Sequence, residues 1–363
     1  MNNKPGVIIK NDWHVSSIND SDLELFVRNS KFSHFMQTSL WGNFQQKFDK
    51  KIYKLGFFKK NVLLGTAVVL IEKSKVGSLA YVPRGPVTDW TDRSISDPII
   101  YLLISHLRKI EPNLFMLRID PALEKSDFGD VDADLKAFGF FDAIMPIQVE
   151  NAWVVDISQP LDDILTNMRK NTRYSIRRAE KNKVRVEVST DIEDFELFYQ
   201  LLHRLASTKH FAPFSKRYLE EEFRYFTKRK PLFEIPFMRL FKAVDSSGKM
   251  LASAMIMFYK DEAFYLHAAS SLEGNKLLAS YLIQWHVIKY AKDLGCKKYN
   301  LWGVLLEKDM IPENPGYGYS LFKRGFGGGL HSYIRTKEYP FNWIKYSLLR
   351  LQERRWRRKN GLL

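Results

Sequence analysis

The sequence predicts an α/β protein of two tandem domains, each built on a mixed, largely antiparallel sheet. Three observations lead there. At 363 residues the chain exceeds the size at which one hydrophobic core usually keeps growing. Its 45% hydrophobic, 14% aromatic and 27% charged residues are ordinary globular usage. One order of elements also occurs twice, with corresponding members about 185 positions apart. The halves share that order without visible sequence identity, so two unrelated α/β domains remain the alternative.

Residues 20–30, DSDLELFVRNS, and 34–48 read as short helices. A hairpin follows, IYKLGFFK and VLLGTAVVLIEK around a Lys60-Asn61 turn, then the strand GSLAYV. DPIIYLLISHLRKI reads as a helix capped by Asp97, with Pro98 in a first turn that needs no N–H from it. LFMLRID closes the set as a strand. In the second half, helices at 191–209 and 216–228 precede the hairpin FMRLFKAVD and MLASAMIMFY, turning at Ser247-Gly248. The strand EAFYLHAAS, a helix from Lys276 to Leu294 stopped by Gly295, and the strand KKYNLWG complete it. Helices, hairpin, then strand-helix-strand is the order of acetyltransferase-like (GNAT-like) N-acyltransferase domains, which bind an acyl donor where two central strands splay. A tandem pair would offer a cleft between domains for a large substrate. The expected boundaries are 1–150 and 151–340, with 321–340 packing back on the first domain and 341–363 a basic amphipathic tail.

The net charge of +15 is concentrated in two stretches. Arg169 to Arg185 holds eight basic residues against Glu180, and Lys345 to Lys359 holds seven against Glu353. Two basic stripes on an otherwise nearly neutral chain point to a polyanionic partner: RNA, a nucleotide pyrophosphate or an anionic membrane surface. Solvated helix faces are the plain alternative. The opening MNNKPGVIIKND lacks a signal-like apolar run, and VLLGTAVVLI at 62–71 is too short to span a bilayer, so a cytoplasmic protein is expected. A single cysteine, Cys296, excludes an internal disulfide and Cys-based zinc sites, and reads as a small buried residue.

From DISQPLDDILTNMRKNTRYSIRRAEKNKVRVEV the spacing predicts one helix, with Ser158 as N-cap, Pro160 in its first turn, and Asp162 and Asp163 at the positive end of its dipole. Ile164, Met168, Ile176 and Ala179 would face the core. Arg169, Arg173 and Arg177 would form an exposed row, with Lys170, Tyr174, Arg178 and Lys181 beside it. Guanidinium forks grip phosphate and an aromatic face stacks on an unpaired base, so the row suits RNA; an acidic protein surface would suit it too.

Taken together, NMRKNTRYSIRRAEKNKVRVEV, YVPRGPV, FMQTSLWGNFQ, FYLHAASS and SLFKRGFGG resemble the Fem family of non-ribosomal peptidyltransferases, also written FemABX, from Phe35 to Gly329. The resemblance implies tandem acetyltransferase-like domains. It also implies transfer of an amino acid (Gly, Ala or Ser) from aminoacyl-tRNA to the side-chain amine of the peptidoglycan stem peptide. The implied partners are aminoacyl-tRNA and a lipid-linked or UDP-linked pentapeptide precursor, with no DNA. An aminoacyl ester is already activated, and the sequence has neither a phosphate-loop motif nor HExxH spacing among its eight histidines; no cofactor or metal is expected. Aminolysis still needs a proton path for the attacking amine and positive charge near the oxyanion or leaving ribose oxygen.

By that resemblance Lys323 stabilises developing negative charge, the Phe322 carbonyl accepts from the amine, and Arg324 contacts substrate beside them. The glycines of FKRGFGGG would let main chain approach the donor; without the family, the stretch reads as a solvated loop. Asp120 matches an aspartate near the acceptor peptide, as contact or proton acceptor, although an Asp before Pro is more often a turn residue. Arg84 matches a basic position for pyrophosphate or carboxylate. Tyr218 matches a precursor-contacting tyrosine, and Lys216 approximates its phosphate-binding neighbour. Gln45 replaces a common phosphate-binding lysine, with Lys47 two residues on. His267 stands where an active-site tyrosine is common, in a strand that also offers Tyr265; a histidine there can titrate near neutrality or be structural.

NWIKYSLLRLQERRWRRKNGLL places Trp343, Ile344, Leu348, Leu351 and Trp356 among cations, the pattern of a helix on an anionic membrane at the inner face of the plasma membrane, or of a helix packed on the second domain with a frayed basic tail. No long heptad insertion precedes the second hairpin, so the compact, FemX-like type is expected. A tRNA-independent N-acyltransferase of the same fold and a non-catalytic RNA-binding module are the rival functions.

Overall fold

The computed structural model describes residues 12–125, 130–209, 211–228 and 237–359. It divides into two units, Met1–Glu150 with Ser332–Leu363, and Asn151–His331.

In the first unit the chain runs β1 (Trp13–Ser17), α1 (Asp20–Asn29), α2 (Ser39–Gln46), β2 (Lys51–Lys59), β3 (Val62–Ser74), β4 (Gly77–Val82), β5 (Val87–Thr88), α3 (Arg93–Ile110), β6 (Leu114–Ile119), α4 (Val131–Ala137) and β7 (Phe141–Asp142). The sheet order is β1-β2-β3-β4-β6-β15-β7, with β5 on β3 and β15 (Lys337–Pro340) returning from the far end of the chain. β4 and β6 are parallel and the other pairs antiparallel. Lys60 and Asn61 make the β2–β3 turn with φ of 46° and 67°, the left-handed pair that matches strand twist. The core gathers Leu55, Phe57, Val69, Leu103, Leu117 and Phe140. α3 begins earlier than expected. Asp92 accepts from Ser94 N at 2.8 Å and caps it, so Asp97 lies a turn inside and Pro98 sits within the helix.

The second unit runs β8 (Asn151–Asp156), α5 (Leu161–Asn167), α6 (Lys170–Lys181), β9 (Arg185–Ser189), α7 (Ile192–Lys209), α8 (Lys216–Thr227), β10 (Met238–Val244), β11 (Met250–Tyr259), β12 (Glu262–Ser270), α9 (Leu272–Lys276), α10 (Ala279–Asp293), β13 (Lys298–Gly303), α11 (Tyr317–Arg324) and β14 (Gly329–Ser332). Its sheet order is β14-β8-β13-β12-β11-β10-β9, with β12 and β13 parallel. Val155, Ile157, Phe241, Ile256, Leu282, Tyr299 and Phe326 belong to its core.

Several expectations are corrected here. The single basic helix is two, because Met168 and Arg169 are extended (ψ 151° and 144°), and the break turns Met168 into the core. Ser158 caps nothing; its hydroxyl donates to Asp156 at 2.6 Å. The helix expected from Lys276 is likewise split at Leu278, which takes φ 61°. The C-terminal segment is neither a tail nor packed on the second domain: α12 (Trp343–Lys359) belongs with the first unit. Tyr346 packs into a cluster with Leu79, Tyr81, Phe115 and Met116. Arg350 donates to Tyr346 Oη at 2.7 Å and to the Asp142 carbonyl at 2.9 Å, and Arg357 to the Ile144 carbonyl at 2.9 Å. Residues 321–331 stay with the second unit, and the last four residues of the expected tail lie outside the described residues.

Candidate active site

β12 and β13 pair only from Glu262 to Phe264 against Lys298 to Asn300. Past that point β12 carries a bulge opposite Met255 and Ile256 and runs on to Ser270. β13 turns away: Asn300 Oδ1 accepts from Trp302 N at 2.8 Å, Trp302 takes φ 64°, and Gly303 pairs with Ala152 of β8 instead. A cavity of about 470 Å³ borders the reach of β12 that β13 has left, walled by Tyr265, Ala268, Asn275, Tyr281, Tyr319 and Phe322.

α11 lines this cavity with Gly318, Tyr319 and Phe322 and holds Lys323 next to them. The buried Ser320 hydroxyl accepts from Leu305 N at 2.9 Å, and Phe322 packs edge-on against Tyr281 and Phe326 with centroids 4.9 and 5.1 Å away. With those two faces fixed, Lys323 Nζ donates to the Gly303 carbonyl at 2.7 Å and stands 5.1 and 5.9 Å from the rings of Tyr319 and Tyr265. No carboxylate pairs with it among the described residues, and burial pushes its amine down to about 7. An ammonium loses hydration here without gaining a countercharge, so the proton is weakly held. Burial also raises the Tyr265 phenol above the usual tyrosine value.

FKRGFGGG, a solvated loop on its residues alone, begins as the last three residues of α11, Phe322 to Arg324, and continues as a turn into β14 with Gly325 and Phe326 buried. Two of its glycines, Gly327 and Gly328, meet the protein's own backbone. A Cβ on Gly328 would lie 2.1 Å from the Val154 carbonyl oxygen, and Gly327, at φ 78°, accepts from Trp153 Nε1 at 2.6 Å. Arg324 is occupied in holding the preceding loop: it donates to the Leu305 carbonyl at 2.8 Å, pairs with Glu307 and lies 5.1 Å from the Trp153 ring. The Phe322 carbonyl already accepts from Gly325 N at 3.1 Å.

α6 starts against this corner. Arg169 N donates to the Gly325 carbonyl at 2.9 Å, and a Cβ on Gly325 would lie 2.4 Å from Thr172 Oγ1. Arg169, Arg177 and Lys181 are exposed, as is Tyr174, whereas Thr172, Ser175, Ile176 and Ala179 are buried. Arg173 leaves the expected row. It donates to the Thr166 and Met168 carbonyls at 2.8 and 2.5 Å, closing the end of α5.

His267, on the same strand as Tyr265, pairs through Nε2 with Glu222 Oε2 of α8 at 3.0 Å. Phe214 meets the imidazole edge-on at 5.6 Å and stacks on Tyr218 at 5.0 Å, which brings Tyr218 into the same group. Lys216 is exposed and ion-pairs with Glu196 at 2.8 Å.

Asp120, Arg84 and Lys47 fall in the first unit. Asp120 is fully buried at the end of β6: it accepts from Tyr81 Oη at 2.7 Å and from Arg84 N at 2.6 Å. Burial pushes its carboxyl up to about 6, with the Arg84 charge opposing. Arg84, at φ 55°, donates to the Val149 carbonyl at 2.7 Å and stacks on Tyr333 at 4.6 Å. Asp120 thus holds a left-handed turn, and its two oxygens are engaged within the protein. Lys47 is exposed at the C-terminal cap of α2, while Gln45 is buried.

The FemAB family model matches residues 18–237 and 233–354. The chain belongs to the FemAB family. A UDP-N-acetylmuramoylpentapeptide-lysine N(6)-alanyltransferase of Weissella viridescens is 24% identical over 293 residues, covering 77% of this chain and 83% of its own. A lipid II:glycine glycyltransferase of Staphylococcus aureus (strain MRSA252) is 21% identical over 399 residues, covering 92% and 94%. Among solved structures, FemX matches with a TM-score of 0.81 at 20% identity over 93% of this chain and 100% of its own. A tandem GNAT protein from the clavulanic acid biosynthesis pathway matches with a TM-score of 0.52 at 11% identity, over 90% and 98%. The fold is that of tandem acetyltransferase-like domains, and the match to FemX over that whole chain agrees with the compact type.

In this FemAB chain the sequence reading had missed Tyr319 and Glu222. Both carry a local signal once their segments are read as helices: Tyr319 lies one turn before Lys323, and Glu222 one turn after Tyr218. Trp153 left no such signal, since its contact with Arg324 joins positions far apart in sequence.

Proposed function

We propose that this FemAB protein transfers an amino acid (glycine, alanine or serine) from aminoacyl-tRNA to the side-chain amine of a peptidoglycan stem-peptide precursor. The observation that carries the proposal is Lys323, an amine pushed down to about 7 beside Tyr265 and Tyr319, two of the residues that wall a cavity next to an opened parallel strand pair. The names of the two curated relatives, one an alanyltransferase and one a glycyltransferase, support the reaction class.

In the reaction the acceptor nitrogen forms a bond to the ester carbonyl carbon and the bond from that carbon to the ribose oxygen breaks. The nitrogen loses one proton and the ribose oxygen gains one. Protonated Lys323 would stabilise the tetrahedral oxyanion and give the ribose oxygen its proton; neutral Lys323 would then take up the proton from nitrogen. An amine titrating near neutrality serves both halves. The cavity wall of Tyr265, Tyr319, Tyr281 and Phe322 suits the aminoacyl-adenosine end of the donor, since aromatic faces stack on a base. The exposed cations of α6, adjoining α11, suit the phosphates behind it. Tyr218, Lys216 and His267 are assigned to the acceptor precursor, with Glu222 fixing the imidazole.

The test is mass spectrometry of stem peptide after incubation with charged bulk tRNA and, in parallel, nucleotide-linked or lipid-linked pentapeptide. A gain of one amino-acid residue mass, absent without charged tRNA and strongly reduced in Lys323→Ala, is expected. No gain with either acceptor from folded protein would overturn the tRNA-dependent reading in favour of a tRNA-independent acyltransferase.

A further inference from the structure

α12 has two faces of opposite character. Tyr346, Arg350, Glu353 and Arg357 recur at helical spacing and make its attachment: Tyr346 in the apolar cluster, Arg350 and Arg357 on backbone carbonyls, and Glu353 3.5 Å from Arg118. Ile344, Leu348, Leu351 and Arg355 recur on the opposite face. The three aliphatic side chains there are 77%, 48% and 46% exposed. Arg354, Arg355, Arg358 and Lys359 are exposed along the same outer side, and Trp343 and Trp356, 58% and 49% exposed, stand near the two ends. Beside the start of the helix is a polar cavity of about 330 Å³ with Arg108, Lys345, Asn113 and Asn342 on its walls. Its one carboxylate, Glu111, is already engaged by Lys51 and by the Tyr53 hydroxyl at 2.5 Å.

We propose that the outward face of α12 docks on an anionic phospholipid bilayer, with its long axis in the membrane plane and the Arg108–Lys345 cavity beside lipid phosphates. Aliphatic side chains gain only by leaving water, which acyl chains allow and a nucleic acid does not. Cations flanking them gain from anionic headgroups, and indoles favour the interface. A second copy of the chain fits less well, because the helix's one acid, Glu353, is turned inward onto Arg118 and the outer face offers no carboxylate to the cations of another copy. Among the described residues no helix is long and apolar enough to cross a membrane, so the attachment is peripheral in kind. The proposal does not depend on the transferase reading.

Flotation of the full chain with vesicles tests it without any substrate. Protein is mixed with phosphatidylcholine vesicles, or with vesicles of equal parts phosphatidylcholine and phosphatidylglycerol. The parent is expected to float with the anionic vesicles and remain behind with the neutral ones. Ile344→Glu with Leu348→Glu should lower that partitioning about tenfold or more, and Arg355→Glu with Arg358→Glu about thirtyfold. These side chains are exposed, so both variants should keep the parent's melting temperature; a gel shift with bulk tRNA should be unchanged. A parent that floats with neither vesicle, or variants that float as the parent does, would overturn the proposal. So would loss of tRNA binding in the α12 variants with vesicle binding intact, which would make the face an RNA surface.

Discussion

The two units use the same parallel strand pair in opposite ways. In the first, β4 and β6 stay paired from Ser78 to Val82 against Leu114 to Ile119, and the end of the pair is closed by Asp120, which ties Tyr81 to the Arg84 turn. In the second, β12 and β13 part after Phe264 and Asn300, and the space beside β12 is left to a cavity, with Lys323 held between Gly303 and the Tyr265 ring. One buried ionisable group has donors on both oxygens; the other has a single carbonyl and, among the described residues, no countercharge. A charge engaged by fixed hydrogen bonds holds structure. An amine with its proton loosely held is free for chemistry.

The largest effect expected from this contrast is on turnover. Lys323→Ala should lower single-turnover transfer by about a thousandfold while tRNA binding is retained, as measured by rapid quench and gel shift. Asp120→Ala should instead act on stability, by about 3 kcal/mol in urea unfolding, because the Tyr81 hydroxyl and Arg84 N–H lose their buried acceptor. If Asp120→Ala leaves stability untouched and abolishes transfer, the contrast is wrong. Gly328→Ala should cost about 3 kcal/mol or more, since its φ of 81° and the Val154 oxygen 2.1 Å from a Cβ both oppose it. Gly248→Ala, with φ 86° and nothing within 4 Å, isolates the conformational part and should cost about 1 kcal/mol. Arg177→Glu with Lys181→Glu should weaken tRNA binding about tenfold or more at moderate salt and flatten its salt dependence.

The smallest effect is a gain. Lys323 holds its proton less well in the folded state than the usual lysine value of 10.5, so between that pH and about 7 the unfolded chain binds more protons. Stability therefore rises with pH across that window. Lys323→Met should remove this slope and raise Tm at neutral pH by about 3 °C, even as it abolishes activity.

Much of the fold was legible because hairpins, caps and the repeated order are local. Lys60-Asn61 and the apolar alternation of β2, β3, β10 and β11 declare themselves within a few residues. What escaped depends on long-range pairing. β15 finds β6 from more than two hundred positions away, and β8 finds β13 across most of a unit, so neither strand is marked by its own pattern. The breaks at Met168-Arg169 and Leu278 were hidden for a related reason: periodicity continues through them, and only the tertiary placement of Met168 and the left-handed Leu278 reveals the turn. For the site, the resemblance singled out Lys323, but its burial follows from Gly303, Tyr265 and Tyr319 converging from separate elements. Gly325, Gly327 and Gly328 pack closely against the protein's own atoms, whereas Gly329 has open space, a distinction that composition does not carry.

The central claim is that transfer depends on the loosely held proton of Lys323. The direct measurement is the ratio of single-turnover rates, parent over Lys323→Ala, with charged tRNA and pentapeptide precursor from about pH 6 to about pH 9. The ratio removes the pH dependence of the acceptor amine, which both proteins share. The account predicts a ratio that is high at the acid end and falls about tenfold per unit above an apparent pKa near 7, as the ammonium is lost. A ratio that stays constant across the range would contradict it.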